Sequence, residues 1–131
     1  MLQRDYILEI IGQFVSGITD AFRRALGGDP TGRADAEREI GELLDLDPQT
    51  ALALAPDSLV TMMVLSGMGD SVASYVCYAL DRLATLYERD GDEDTAGLRR
   101  LQARAVAESF DCDPADVPPE LVALDAELFS K

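Results

Sequence analysis

The chain has 131 residues, 47% of them apolar, and its 25 acidic and 11 basic side chains give a formal charge of -14 at pH 7. This length and apolar content predict one packed domain, not two domains or a disordered tail. The acidic surplus argues against DNA, RNA and anionic lipid surfaces as partners, because the field of the whole molecule repels phosphate groups.

Cysteine content and hydropathy bear on the compartment of the protein. Cys77 and Cys112 are the only thiols, far from the dense cysteine framework of a secreted mini-protein, so we expect a reducing, cytoplasmic environment. Charged residues near the amino terminus argue against a signal peptide. The longest apolar stretch, residues 51–69, is interrupted by Pro56, so we expect neither a transmembrane helix nor a membrane partner.

The first part of the chain, about residues 5–46, predicts an antiparallel hairpin of two helices. The first helix should run from Tyr6 to Leu26, because apolar residues recur there at steps of three or four. The second should run from Gly32 to Leu46 and stop before Pro48, which restricts its preceding residue. The inward positions would be Ile7, Ile11, Phe14, Ile18, Phe22 and Ala25, then Ala36, Ile40, Leu43 and Leu44.

Two short linker helices are expected over residues 48–66. Asp47 can cap the first by its side chain, with Pro48 at the first helical position. Pro56 precedes the second, which should start at Asp57 or Ser58 and end at Gly67.

A second hairpin is expected over about residues 70–110. Asp70 is a candidate cap for its first helix, which should end at Gly91, and Asp92 is a candidate cap for its second. A last helix should cover about residues 119–129. The apolar positions expected to pack inward are Val72, Val76, Ala79, Leu83, Tyr87, Ala96, Leu101, Ala103, Val106, Ala107, Phe110, Leu121, Leu124 and Leu128.

No segment alternates apolar and polar residues in the manner of a strand, so the predicted fold class is all-α, with about five to seven helices. The chain also contains an internal echo. Residues 45–48 and 111–114 share the pattern Asp-x-Asp-Pro, and each ends the second helix of a predicted hairpin.

The second hairpin resembles a tetratricopeptide repeat over about 30 residues. It departs from that repeat at Leu80, Arg100 and Glu108, where an aromatic, an aromatic and a proline are usual. The residues that carry the resemblance are Leu83, Ala84, Tyr87, Gly91, Ala96 and Ala103.

The opening residues 1–7, the Ile/Phe-rich helix and the Leu-Asp-Leu-Asp exit also resemble an uncharacterised family of small bacterial proteins with tetratricopeptide-like helices. These resemblances imply stacked helical hairpins. They imply no activity, because the bacterial family has none assigned.

The composition argues against an enzyme. The chain has no histidine, which removes the commonest general base and metal ligand, and its one lysine, Lys131, is the last residue. No phosphate-binding glycine motif is present. We therefore expect no catalytic residues and no cofactor.

Clustered carboxylates leave one alternative open, a helical protein that binds a small ligand or a divalent metal and uses it in catalysis. The candidate ligands are Glu37, Glu39 and Glu42, or the acidic residues 90–94, whose spacing resembles the start of a calcium-binding loop. Thr95 stands where that loop needs glycine and Leu101 where it needs a bidentate glutamate, so helix capping is the preferred explanation of residues 90–94. We expect no resident metal.

The preferred hypothesis is a non-enzymatic module that binds a protein or peptide. Arg99, Arg100 and Arg104 form a local basic cluster that could hold an acidic peptide, although neutralisation of neighbouring acids is the simpler explanation and the one that we favour. The methionines of the second linker helix could serve a partner surface or fill the core. Two hairpins are few for a free-standing repeat array, so we expect a homodimer. Its interface would contain Ile7, Ile11, Phe14 and Ile18.

Overall fold

The computed structural model describes residues 2–67 and 69–129, with side chains from Tyr6 onward. No strand occurs in these residues, and the all-α prediction is confirmed. The helices in chain order are α1 Leu2–Leu26, α2 Gly32–Leu44, α3 Pro48–Ala53, α4 Pro56–Ser66, α5 Gly69–Arg89, α6 Glu93–Phe110 and α7 Val122–Leu128, with a 3₁₀ turn at Pro119–Leu121.

Two helical hairpins provide most of the packing. Helix α1 packs against α2, and α5 packs against α6, as expected for neighbours joined by short loops. The hairpins meet where α2 contacts α5. Helix α3 then lies on α2, and α4 lies on α6.

The ends of α2 and α6 share a backbone conformation that explains the repeated Asp-x-Asp-Pro pattern. Asp45 and Asp111 adopt left-handed φ values of 57° and 56°, and they are the non-glycine residues with positive φ in the described ranges. The next N–H folds back onto the helix: Leu46 donates to the Gly41 carbonyl at 2.9 Å. Helix α2 therefore ends two residues before the predicted end, because Asp45 terminates it and not Pro48.

The predicted amino-terminal caps are correct at two of three positions. The Asp47 and Asp92 carboxylates each accept from the backbone N–H three residues later, at 3.1 Å. Asp70 was predicted wrongly, because α5 begins at Gly69 and places Asp70 inside its first turn. An acidic residue there still suits the positive end of the helix.

The predicted inward stripes are buried or half-buried with one exception, Leu101, which is exposed. The inward side of α6 contains Arg99 and Gln102 instead, and both are buried. Polar side chains occupy these two core positions because they satisfy backbone carbonyls, as described below.

The carboxyl-terminal helix is attached by polar and aromatic contacts to both hairpins. Asp125 of α7 accepts from the Tyr78 hydroxyl at 3.0 Å and from Arg82 Nε at 2.6 Å. The Phe129 ring meets the Phe22 ring edge to face, with centroids 5.5 Å apart. Helix α7 thereby connects α1 with α5.

Candidate functional site

Arg99, the first of the three arginines predicted to bind a partner, lies in the interior of the fold. Its side chain is buried, and its Nη2 donates to Glu37 Oε2 at 2.7 Å. Its Nη1 donates to the Leu52 carbonyl at 2.7 Å. A guanidinium held in this way has little capacity left for an external carboxylate.

Arg100 and Arg104 differ from Arg99 and from each other. Arg100 pairs with Glu88 at 2.7 Å and with Asp81 at 3.0 Å, as the charge-neutralising alternative predicts. Arg104 is exposed and has no ion-pair partner within the described residues. The structure therefore does not bring the three arginines together as one clamp.

Arg99 belongs to a larger set of buried contacts, which we call the central network: Glu37, Tyr87, Arg99, Gln102 and the carbonyls of Leu52 and Leu54. The Tyr87 hydroxyl donates to Glu37 at 2.7 Å. Gln102 Nε2 donates to both carbonyls, at 3.0 and 2.9 Å. These carbonyls lie at the end of α3, where a helix leaves acceptors unpaired.

The central network is internally satisfied. Every buried side-chain nitrogen and oxygen atom among the described residues has a hydrogen-bond partner. Burial, with the hydrogen bond to Glu37, raises the pKa of Tyr87 to about 12, so its hydroxyl remains a donor at neutral pH. The network therefore forms a joint between the hairpins, in which the buried polar groups are paired with one another.

A groove of about 610 Å³ opens beside this joint, between α2, α3 and α6. Its apolar lining includes Leu52 and Leu98. The polar groups around it are paired with one another: Arg38 with Asp35 at 2.8 Å, and Asp47 with Thr50 at 3.0 Å. Few polar groups in this groove remain to orient a ligand.

The residues predicted for a dimer interface mostly lie inside the protomer. Ile11, Phe14 and Ile18 are buried in its core, and Ile7 is half-buried against it. An interface through the first three is not available to this fold, because their apolar surface is already covered. The homodimer stays a prediction without an assigned interface.

Helix α4 exposes three large apolar side chains, among them Leu65, the most exposed large apolar residue in the part of the chain that the structure describes. Leu59 and Met63 pack into the core, whereas Met62, Val64 and Leu65 lie on the outer side. Leu65 is 74% exposed and Val64 is 59% exposed. A surface helix normally has a polar outer side. We call Met62, Val64 and Leu65 the α4 face; Met68, the other methionine nearby, lies outside the described residues.

An apolar depression of about 400 Å³, the α4 groove, adjoins the α4 face. Tyr6 of α1 and Leu44 at the end of α2 contribute to it. Its complete lining is Tyr6, Leu44, Asp45, Leu46, Met62, Leu65 and Ser66. The α4 face forms a ridge beside the α4 groove. An apolar side chain of a partner could pack against this ridge and insert into the groove.

The chain segment that contains α4 carries charge of one sign. Residues 39–81, which include α4, contain no lysine or arginine. Asp45 lines the α4 groove, and Asp57 lies on the same side of α4 as Val64, two turns earlier. The acidic residues of this segment are Glu39, Glu42, Asp45, Asp47, Asp57, Asp70 and Asp81.

The glutamates considered as metal ligands do not lie together in one site. Glu37 is held by Arg99, and Glu42 is exposed. Glu39 lies against α1 at Gly17, where an added methyl group would collide with its carboxyl group. Burial raises the pKa of Glu39.

In the acidic turn at residues 90–94, Asp90 and Asp92 make contacts within the fold. Asp90 pairs with Arg33 at 3.1 Å, and the hydrogen bond from the Thr95 backbone holds the pKa of Asp92 below its usual value. Within the described residues, no three histidine, cysteine or acidic side chains are placed to share a metal ion.

No family model, curated protein or solved structure matches this chain. The resemblances to tetratricopeptide repeats and to the small bacterial proteins therefore stay predictions. None of the helices within residues 2–67 and 69–129 is long and apolar enough to cross a bilayer.

Proposed function

We propose that this chain is a non-enzymatic interaction module that binds a segment of another protein on the α4 face and in the α4 groove. The observation that carries the proposal is the outward exposure of Val64 and Leu65 from a helix whose apolar residues are not confined to its inward side. Contiguous exposed apolar surface is typical of interaction sites. Covering it would stabilise a complex by about 25 cal/mol per Å² of apolar area buried.

Two further observations support a binding role over catalysis. The chain lacks histidine, and charged groups beside the groove of about 610 Å³ are engaged in internal pairs.

The test compares Val64→Asp and Leu65→Asp with Val122→Asp, each in the full chain. Val122 is a matched control because it is 53% exposed and lies on α7, which packs against α1 and the 3₁₀ turn. Tagged proteins are used to capture partners from lysate of the source organism at low and high salt, and mass spectrometry identifies what is retained.

A salt-resistant partner should be captured by the unaltered chain and by Val122→Asp, and should be lost with either α4 variant. Retention of the same partner by all three variants would move the binding site away from α4. Circular dichroism establishes that each variant is folded.

A second candidate is the binding of a small ligand or a divalent metal, because the groove of about 610 Å³ has the size of small-molecule sites. Calorimetric titration with calcium, magnesium and manganese tests the metal form of this alternative. We expect millimolar binding at most. Binding tighter than about 1 μM, worth roughly 8 kcal/mol, would favour the alternative over the interaction module.

A further inference from the structure

We infer that the occupant of the α4 groove is a basic amphipathic helix of a partner protein, an inference that rests on the proposed function. The α4 face supplies an apolar ridge and the α4 groove an adjoining depression of about 400 Å³. An amphipathic helix fills such a surface with apolar residues at positions i, i+3 or i+4, and i+7.

Charge determines which kind of helix fits. A helix whose apolar stripe covers Met62 and Leu65 has one flank beside Asp45, which lines the α4 groove, and Asp57 lies on the side of α4 that presents Val64. Residues 39–81 offer no basic side chain to pair with an acidic partner. Lysine or arginine at the flanking positions is therefore attracted, and glutamate is repelled.

The whole molecule adds to this selection. With a formal charge of -14, the chain attracts a cationic segment at long range and can raise its association rate by about 10- to 1,000-fold at low salt. The same field repels an anionic partner helix.

The charge also disfavours a second copy of this chain as the occupant. A symmetric dimer through α4 would place the patch that contains Asp45 against its own copy, because a two-fold interface uses the same patch on both protomers. Both protomers would also carry the charge of -14. The acidic surface therefore attracts a basic helix and repels a second copy of the chain.

The experiment measures fluorescence anisotropy of labelled synthetic peptides of about 18 residues, five helical turns, added to the full chain. One peptide has leucine on one side and lysine on the other. A second replaces lysine with glutamate, and a third keeps the lysine–leucine composition in scrambled order. The protein variants are Leu65→Asp, Val122→Asp and Asp57→Asn.

The lysine–leucine helix should bind at least tenfold more tightly than the glutamate peptide and the scrambled peptide. Leu65→Asp should weaken this binding at least tenfold, while Val122→Asp changes it less than twofold. Asp57→Asn should weaken it several-fold at low salt, and the difference should shrink at high salt, where exposed charges are screened.

Equal binding of the lysine and glutamate helices, both lost in Leu65→Asp, would overturn the basic partner and leave the proposed interaction surface standing. Binding of the lysine helix that is unaffected by Leu65→Asp would contradict both proposals, because the peptide would be held by acidic surface elsewhere. A dimer by light scattering that Leu65→Asp converts to a monomer would assign the surface to a second copy. Leu65→Ser repeats the measurement without adding a charge.

Discussion

At the scale of single residues, the apolar pattern of α6 already indicates that Arg99 lies on the inward side of the helix. Ala96, Arg99, Ala103 and Val106 recur at steps of three or four, so the periodicity places Arg99 on the inward stripe. The charge of Arg99 by itself predicts a surface role, and its buried position shows that the periodicity is the better guide. What the sequence does not show is that the carbonyls at the end of α3 need donors, because that need arises only when α3 packs beside α6.

We expect Arg99→Met to lower the free energy of unfolding by about 3 kcal/mol, since it leaves the Glu37 carboxylate and a backbone carbonyl without their buried donor. Arg104→Met is the matched control on the same helix, and should change the stability by less than about 0.5 kcal/mol. Urea unfolding followed by circular dichroism measures both. Equal, small effects would mean that the central network contributes nothing to stability.

At the scale of elements, the helices were predictable because apolar periodicity and capping residues specify them locally. The end of α2 was less predictable, because a left-handed aspartate at position 45 gives no signal as clear as a proline. Close approaches between helices are also invisible in the sequence. A methyl group added at Gly32 would lie 2.5 Å from the Ala25 backbone nitrogen, whereas one added at Gly97 would meet nothing within 4 Å.

The two glycines should therefore respond oppositely to alanine. Gly97→Ala, inside α6, should stabilise the protein by about 0.5–1 kcal/mol through helix propensity. Gly32→Ala should destabilise it by about 1–3 kcal/mol, because backbone atoms of α1 would have to move. Thermal and urea unfolding of the two variants would show the opposite signs. Stabilisation by both substitutions would indicate that α1 and α2 separate easily.

At the scale of the whole molecule, the sequence predicts the net charge but not its arrangement around α4. The α4 groove is built from Tyr6, Leu44 and Met62, which are far apart in the chain and meet only after both hairpins form. The residues chosen from the sequence for an interface, such as Phe14 and Ile18, have strong apolar patterns because they are core. Exposure, the property that distinguishes an interface from a core, requires the fold.

Several buried acids of high pKa should make the fold sensitive to alkali. Burial raises the pKa of Tyr75 and Tyr87 to about 12, that of Tyr78 further, and those of the Cys77 and Cys112 thiols as well. Their protons are held more tightly in the folded chain than in the unfolded chain. The resulting stability is complete below the unfolded pKa values, about 8.5 for thiols and 10 for tyrosine, and is lost as pH rises through the folded values.

Urea unfolding between pH 8 and pH 12 should therefore show a falling free energy of unfolding. Tyr87→Phe should make the decline shallower above pH 10, because it removes one hydroxyl whose pKa is raised in the folded chain. Absorbance at 295 nm should report tyrosine ionisation that coincides with unfolding. A free energy of unfolding that is constant up to pH 12 would mean that these hydroxyls and thiols reach water without unfolding.

The central network has a consequence for how the chain folds. Its members come from α2, the end of α3, α5 and α6, and Arg99 is 62 positions from the carboxylate that it holds. Neither hairpin alone contains a full set of partners, so an excised second hairpin would leave Arg99 and Gln102 without Glu37 and the α3 carbonyls. We expect the two hairpins to form one cooperative unit, in which amide protons of α3 exchange with solvent at the rate of global unfolding. Such a chain could not gain or lose a hairpin by duplication as a modular repeat array can.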